Sequence, residues 1–145
     1  MIARTIHIPV RRLQAFALLM LLLGLGGCSE PPYTNIDNAQ LQALVGQGVP
    51  VYDIRTPEEW RQTGVVEGSR KLTFFTANGG VNPEFMQRFS AEVGKNDPVI
   101  LICRSVNRAD VLGRHLVERL GYSRVYNVED GIRGWIADEL PVVRN

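Results

Sequence analysis

The sequence predicts an α/β sandwich on a mainly parallel sheet, and three observations carry that prediction. Short apolar runs alternate with segments of helical periodicity from residue 36 to residue 143. One run, Val99-Ile100-Leu101-Ile102, is apolar throughout, as a buried strand should be. Beyond an N-terminal leader about 118 residues remain, enough for one domain with one core, and they contain no internal repeat.

The leader comes first. Arg4, His7, Arg11 and Arg12 make a basic start, and Leu13 to Leu25 is an apolar stretch of signal-peptide length, short for a bilayer span. It ends in Leu25-Gly26-Gly27-Cys28, which resembles a bacterial lipobox, where the cysteine is lipidated and becomes the first mature residue. The resemblance implies a signal peptide over residues 1–27, a tether over 28–35 and a domain over 36–145. It also implies a lipid-anchored, periplasm-facing protein of the bacterial cell envelope, held on a membrane surface. Ser29, standing where an aspartate would retain the protein at the inner membrane, favours the outer membrane. An ordinary secretion signal or an uncleaved anchor is the competing reading.

Within the domain, Ile36 to Val45 reads as a helix capped by Asp37 or Asn38, with Leu41, Leu44 and Val45 on one face and Gly46 and Gly48 ending it. Val49 to Ile54 is a strand, Pro57 to Arg61 a helical turn with proline at its start, and Val65-Val66 a short strand segment. Asn82-Pro83 opens a helix through Val93 that turns Phe85, Met86, Phe89 and Val93 inward. Gly94 to Asp97 is a turn and Val99 to Ile102 the central strand. A helix from Asn107 to Leu120, a strand from Arg124 to Val128 and a helix from Ile132 to Asp138 complete the chain. Leu72 to Val81 reads as a mobile loop beside the site.

Loss of the leader lowers Lys plus Arg from 16 to 13 against 15 Asp plus Glu, a formal charge of −2. With no basic surface and no interleaving of aromatic and basic residues, nucleic-acid binding is not expected. No His, Cys, Asp or Glu cluster has metal-ligand spacing and no glycine-rich nucleotide loop appears, so no metal or cofactor is expected.

Cys103 sits where the central strand ends and a helix begins, and two permanent charges, Arg104 and Arg108, flank it. Free backbone N–H groups and the positive end of the helix dipole converge there and favour a thiolate. If Cys28 carries lipid, Cys103 is the only free thiol; a Cys28–Cys103 disulfide is the alternative. The run Cys103-Arg104-Ser105-Val106-Asn107-Arg108 resembles the active-site loop of rhodanese-family sulfurtransferases, Cys-Arg-Ser-Gly-Asn-Arg, at five of six positions. Asp53-Ile54-Arg55-Thr56-Pro57-Glu58-Glu59-Trp60 is similar to the family's Asp-[Val/Ile]-Arg-x-Pro-x-Glu-[Trp/Phe] signature. Gly131-Ile132-Arg133-Gly134-Trp135 falls where its closing Gly-Gly-x-x-x-Trp region would.

The resemblance implies a three-layer sandwich with helices on both faces. It implies that Cys103 attacks the outer sulfur of a small anionic donor such as thiosulfate, then passes that sulfur to a thiol or to cyanide. The N–H groups of Arg104, Ser105, Val106, Asn107 and Arg108 would cradle the persulfide anion. Arg108 is expected to close the loop and Arg104 to face the mouth. Val106 departs from the family's glycine and would be strained if its φ is positive. Asp53, Arg55, Trp60, Trp135 and His115 read as structural, and Glu58 and Glu59 as helix-start carboxylates. Two other functions compete: a non-catalytic rhodanese-like binding module, and a phosphatase, which the spacing of only four residues between Cys103 and Arg108 disfavours.

Overall fold

The computed structural model describes residues 30–144. Five parallel strands form one sheet: β1 (Thr34–Ile36), β2 (Val51–Asp53), β3 (Arg70–Lys71), β4 (Val99–Ile102) and β5 (Val125–Val128), in the order β1-β5-β4-β2-β3. Five α-helices cover it: α1 (Asn38–Gly46), α2 (Pro57–Thr63), α3 (Phe85–Glu92), α4 (Asn107–Arg114) and α5 (Gly131–Ala137). The fold class agrees with the sequence.

β4 shows why both faces must be covered. Its four residues are completely buried and alternate between two cores. Val99 and Leu101 join Phe85 and Phe89 of α3 and Leu112 of α4, whereas Ile100 and Ile102 join Leu41 of α1 and Ile132 and Trp135 of α5. Phe89 stacks on Phe85 at 5.5 Å and meets the edge of Tyr52 at 5.0 Å. Each such ring contributes about 1.5–3 kcal/mol by burial.

Two helix starts follow their capping residues. Asp37 caps α1 and Gln40 returns the bond to the Asp37 N–H at 3.0 Å. Thr56 and Glu59 do the same at α2, with Pro57 in the first turn.

Several expectations are corrected. Thr34 and Asn35, placed in the tether, form edge strand β1 against β5. Their neighbour Tyr33 is buried against Gly113 of α4, where a Cβ would lie 2.7 Å from its ring, and its hydroxyl donates to Asp110. Burial and that carboxylate push the Tyr33 phenol up. The domain therefore begins before residue 36. Arg70–Lys71, absent from the sequence reading, is the other edge strand. Val65-Val66 makes a single antiparallel bridge, Val65 to Val143. The expected helix to Leu120 is α-helical only to Arg114; a π-helical turn follows at His115–Arg119, with Leu120 N–H reaching His115 O at 3.2 Å. The wider turn keeps Leu116 fully buried and lets Val117 and Leu120 pack on the same core. The leader and Cys28 lie outside the described residues.

Candidate active site

The strands are parallel, so their carboxyl ends share one edge, the usual place for a ligand in such a sheet. Cys103 follows β4 at that edge as a buried, free thiol whose Sγ donates to Ser105 O at 3.5 Å. The carbonyls of the following loop are all engaged. Cys103 O accepts from Ile132 N–H at 2.9 Å, Arg104 O from Arg133 N–H at 3.3 Å, and Val106 O from Asp110 N–H at 2.9 Å. Through Cys103 and Arg104 the loop thus rests on the start of α5. Gly131 permits this approach: its φ is +55°, and a Cβ there would sit 2.5 Å from Cys103 O and 2.6 Å from Ser105 O.

The amide side is open. Val106 is the N-cap of α4 and offers no side-chain acceptor. Among the described residues, no protein group accepts from the backbone N–H groups of Arg104, Ser105, Val106, Asn107 or Arg108. The expected strain at Val106 is absent. Its φ is −121° and ψ −34°, so the loop accommodates valine without the left-handed backbone that glycine would favour.

Arg108 has a partner the sequence reading overlooked. Its guanidinium grips Glu59 of α2 with two bonds of 2.7 and 2.6 Å. Glu59 is fixed in turn by the Thr56 N–H at 3.0 Å. Burial alone would raise the Glu59 carboxyl, but the Arg108 bonds, the Thr56 amide and the guanidinium charge outweigh it and hold the group at about 2. Because 2 lies below the ordinary 4.5, this stabilisation is complete above pH 4.5 and disappears as pH falls toward 2. Glu59→Gln should therefore melt below the parent at pH 7, and the gap between the two melts should narrow on going to pH 3. A gap independent of pH would contradict the pairing. The Thr56-x-x-Glu59 capping pattern marked the carboxylate as oriented, but nothing local pointed to an arginine 49 residues away.

Behind α2 lies a second ion pair, and it is structural as read. Asp53 and Arg55 are fully buried at the end of β2. Arg55 Nε donates to Asp53 Oδ1 at 2.9 Å and Nη2 to Oδ2 at 2.6 Å, while Nη1 bonds Thr63 Oγ1 at 2.6 Å and Nη2 also bonds Gly64 O at 2.8 Å. Trp60 Nε1 adds a bond to Asp53 at 2.9 Å. The network ties the sheet to the end of α2 and so positions Glu59. Trp135 is buried as expected, whereas His115 is exposed on the π-helical turn, away from the loop.

A cavity of about 540 Å³ borders the loop between Arg104, Arg108 and Glu59 on one side and Phe75, Thr76 and Gly79 on the other. The two phenylalanines divide their duties: Phe74 is core, Phe75 wall. The segment expected to be mobile is a hydrogen-bonded hairpin, with Thr76 N–H on Gly80 O at 2.8 Å and Asn82 N–H on Phe74 O at 2.8 Å.

A parallel α/β sandwich with a buried cysteine at the strand-to-helix edge and a carboxylate-clamped arginine five residues on defines a narrow class. Residues 37–138 match the rhodanese-like domain family, and the chain belongs to it. It is 31% identical over 119 residues to rhodanese-like domain-containing protein 17 of Arabidopsis thaliana, covering 79% of this chain and 75% of that one. It is 28% identical to thiosulfate sulfurtransferase 18 of the same plant, covering 74% and 82%. A polysulfide-sulfur transferase homodimer from Wolinella succinogenes shares the fold, with a TM-score of 0.63 at 17% identity over 94% of this chain and 93% of that one.

Proposed function

We propose that the protein is a sulfurtransferase or persulfide carrier of the thiosulfate sulfurtransferase type, working through Cys103. The observation that carries this reading is the loop's polarity: its carbonyls are engaged, those of Cys103 and Arg104 by α5, while its amides have no protein acceptor among the described residues and are free to bind an anion. Similarity to a protein named thiosulfate sulfurtransferase supports it. The Cys103 thiolate attacks the outer sulfur of a small anionic donor such as thiosulfate, forming an S–S bond as the donor's own S–S bond breaks and sulfite leaves with the electron pair. An acceptor thiolate, or cyanide, then attacks the outer persulfide sulfur and returns the Cys103 thiolate. Neither step needs a cofactor or a separate redox partner. Arg104, Ser105, Val106, Asn107 and Arg108 supply the amide cradle, Arg108 holds it shut through Glu59, and Arg104 meets the incoming anion.

Thiocyanate formation from thiosulfate and cyanide tests the reading. The parent should turn over and Cys103→Ser should fall to background, because a hydroxyl cannot carry a sulfane sulfur. A parent no faster than Cys103→Ser would leave a binding module on this fold.

The same reading extends to the cell envelope, with Cys28 lipidated and the domain facing the periplasm, the outer membrane favoured by Ser29. The run Leu25-Gly26-Gly27-Cys28 supports it. Its partners would then be a small anionic sulfur donor, a thiol acceptor and the membrane through the anchor, not nucleic acid. Cys28→Ala should release the protein from membranes or block its processing; unchanged partitioning and unchanged mass would contradict the anchor.

A further inference from the structure

A second, smaller cavity of about 150 Å³ borders the same loop, reached through Arg104 but lined on its other sides by Gln62 of α2 and by Ile132, Arg133 and Ile136 of α5. Its charge is unbalanced. Arg55 and Glu59 also border it, but each is committed elsewhere, Arg55 to Asp53 and Glu59 to Arg108. Arg104 and Arg133 are left over: among the described residues, neither guanidinium makes a hydrogen bond or an ion pair. Asp130 and Asp138 share a neighbouring depression with Arg133, yet neither pairs with it, and Asp138 accepts from Asn38 at 2.8 Å.

The two free arginines are kept close by main chain. Arg133 N–H donates to Arg104 O at 3.3 Å, and the adjoining Ile132 N–H to Cys103 O at 2.9 Å. Both side chains are solvent-exposed, so water screens their repulsion, and an anion between them would relieve what remains. The cavity holds the volume of a few waters, roughly 30 Å³ each in the liquid. That suits a tetrahedral oxyanion and excludes a nucleotide. Guanidinium forks match such an oxyanion with paired, charge-assisted bonds.

We propose that Arg104 and Arg133 bind a small tetrahedral oxyanion, of the sulfate, sulfite or sulfonate class, in this cavity. The site is distinct from the larger cavity walled by Phe75. Arg104 borders both, so an anion released at the mouth has a second guanidinium pair to enter. This consequence for turnover rests on the sulfur-transfer reading; the binding itself does not.

Titration calorimetry of the full chain carrying Cys103→Ser, with inorganic sulfate as the probe, separates the two, since no turnover is possible. Sulfate should bind at one site. Arg133→Ala should weaken it roughly tenfold, as expected for loss of one charge-assisted contact. Arg133→Lys should retain part of the affinity, and Arg124→Ala, which removes an equal charge elsewhere, should leave it within about twofold. Unsaturable sulfate binding, an unchanged affinity in Arg133→Ala, or an equal loss in Arg124→Ala would overturn the site without touching the role of Cys103. With thiosulfate as the probe, binding that survives Arg133→Ala belongs to the larger cavity, and binding lost with it to this one.

Discussion

Replacing Arg55 with alanine should cost the domain about 3–5 kcal/mol, because it strands the Asp53 carboxylate in the interior with most of its partners gone. That is a large share of the roughly 5–15 kcal/mol available to a domain of this kind. The three groups Arg55 bridges, Asp53, Thr63 and Gly64, would lose their common partner. α2 would then be held less firmly, and with it Glu59 and the Arg108 clamp. Urea unfolding of parent and variant measures the cost. A loss under about 1 kcal/mol would show that the pair is not the interior cross-link described here.

Gly131→Ala should damage activity more than any substitution outside the cysteine loop. The residue's φ of +55° costs a non-glycine residue about 1–2 kcal/mol before any contact is considered. The added methyl would also meet the Cys103 and Ser105 carbonyl oxygens at 2.5 and 2.6 Å, and those are backbone atoms that cannot swing aside. Either α5 or the loop must move. A displacement near 1 Å at a reacting group costs on the order of 100-fold in rate, so sulfur transfer should fall at least that far while the melt drops by a few degrees. A Gly131→Ala protein with the parent's rate would contradict the loop packing.

How much of this was legible depended on where the signal lay. The central strands β2, β4 and β5 were readable because burial on both faces makes them apolar runs. The edge strands β1 and β3 were not: Thr34-Asn35-Ile36 and Arg70-Lys71 are two or three residues long, mostly polar, and paired on one side only. Tyr33 hid behind two prolines that read as tether. The π-helical turn left no mark because Leu112, Leu116 and Leu120 keep an α-like spacing. At the site, the cysteine, its flanking arginines and the strand-to-helix junction could be read directly, since they are contiguous. The Glu59–Arg108 clamp could not, because it joins distant segments. Strain at Val106 was conditional on a positive φ, which the residue types alone could not fix, and the loop takes a negative one.

The role proposed for Cys103 is to carry sulfur. Mass spectrometry of the protein after exposure to thiosulfate, with and without a thiol chase, tests it most directly. One added sulfur atom is expected on the peptide containing Cys103, absent from Cys103→Ser and removed by the chase. A Cys103 peptide of unchanged mass, in a protein shown by its melt to be folded, would contradict it.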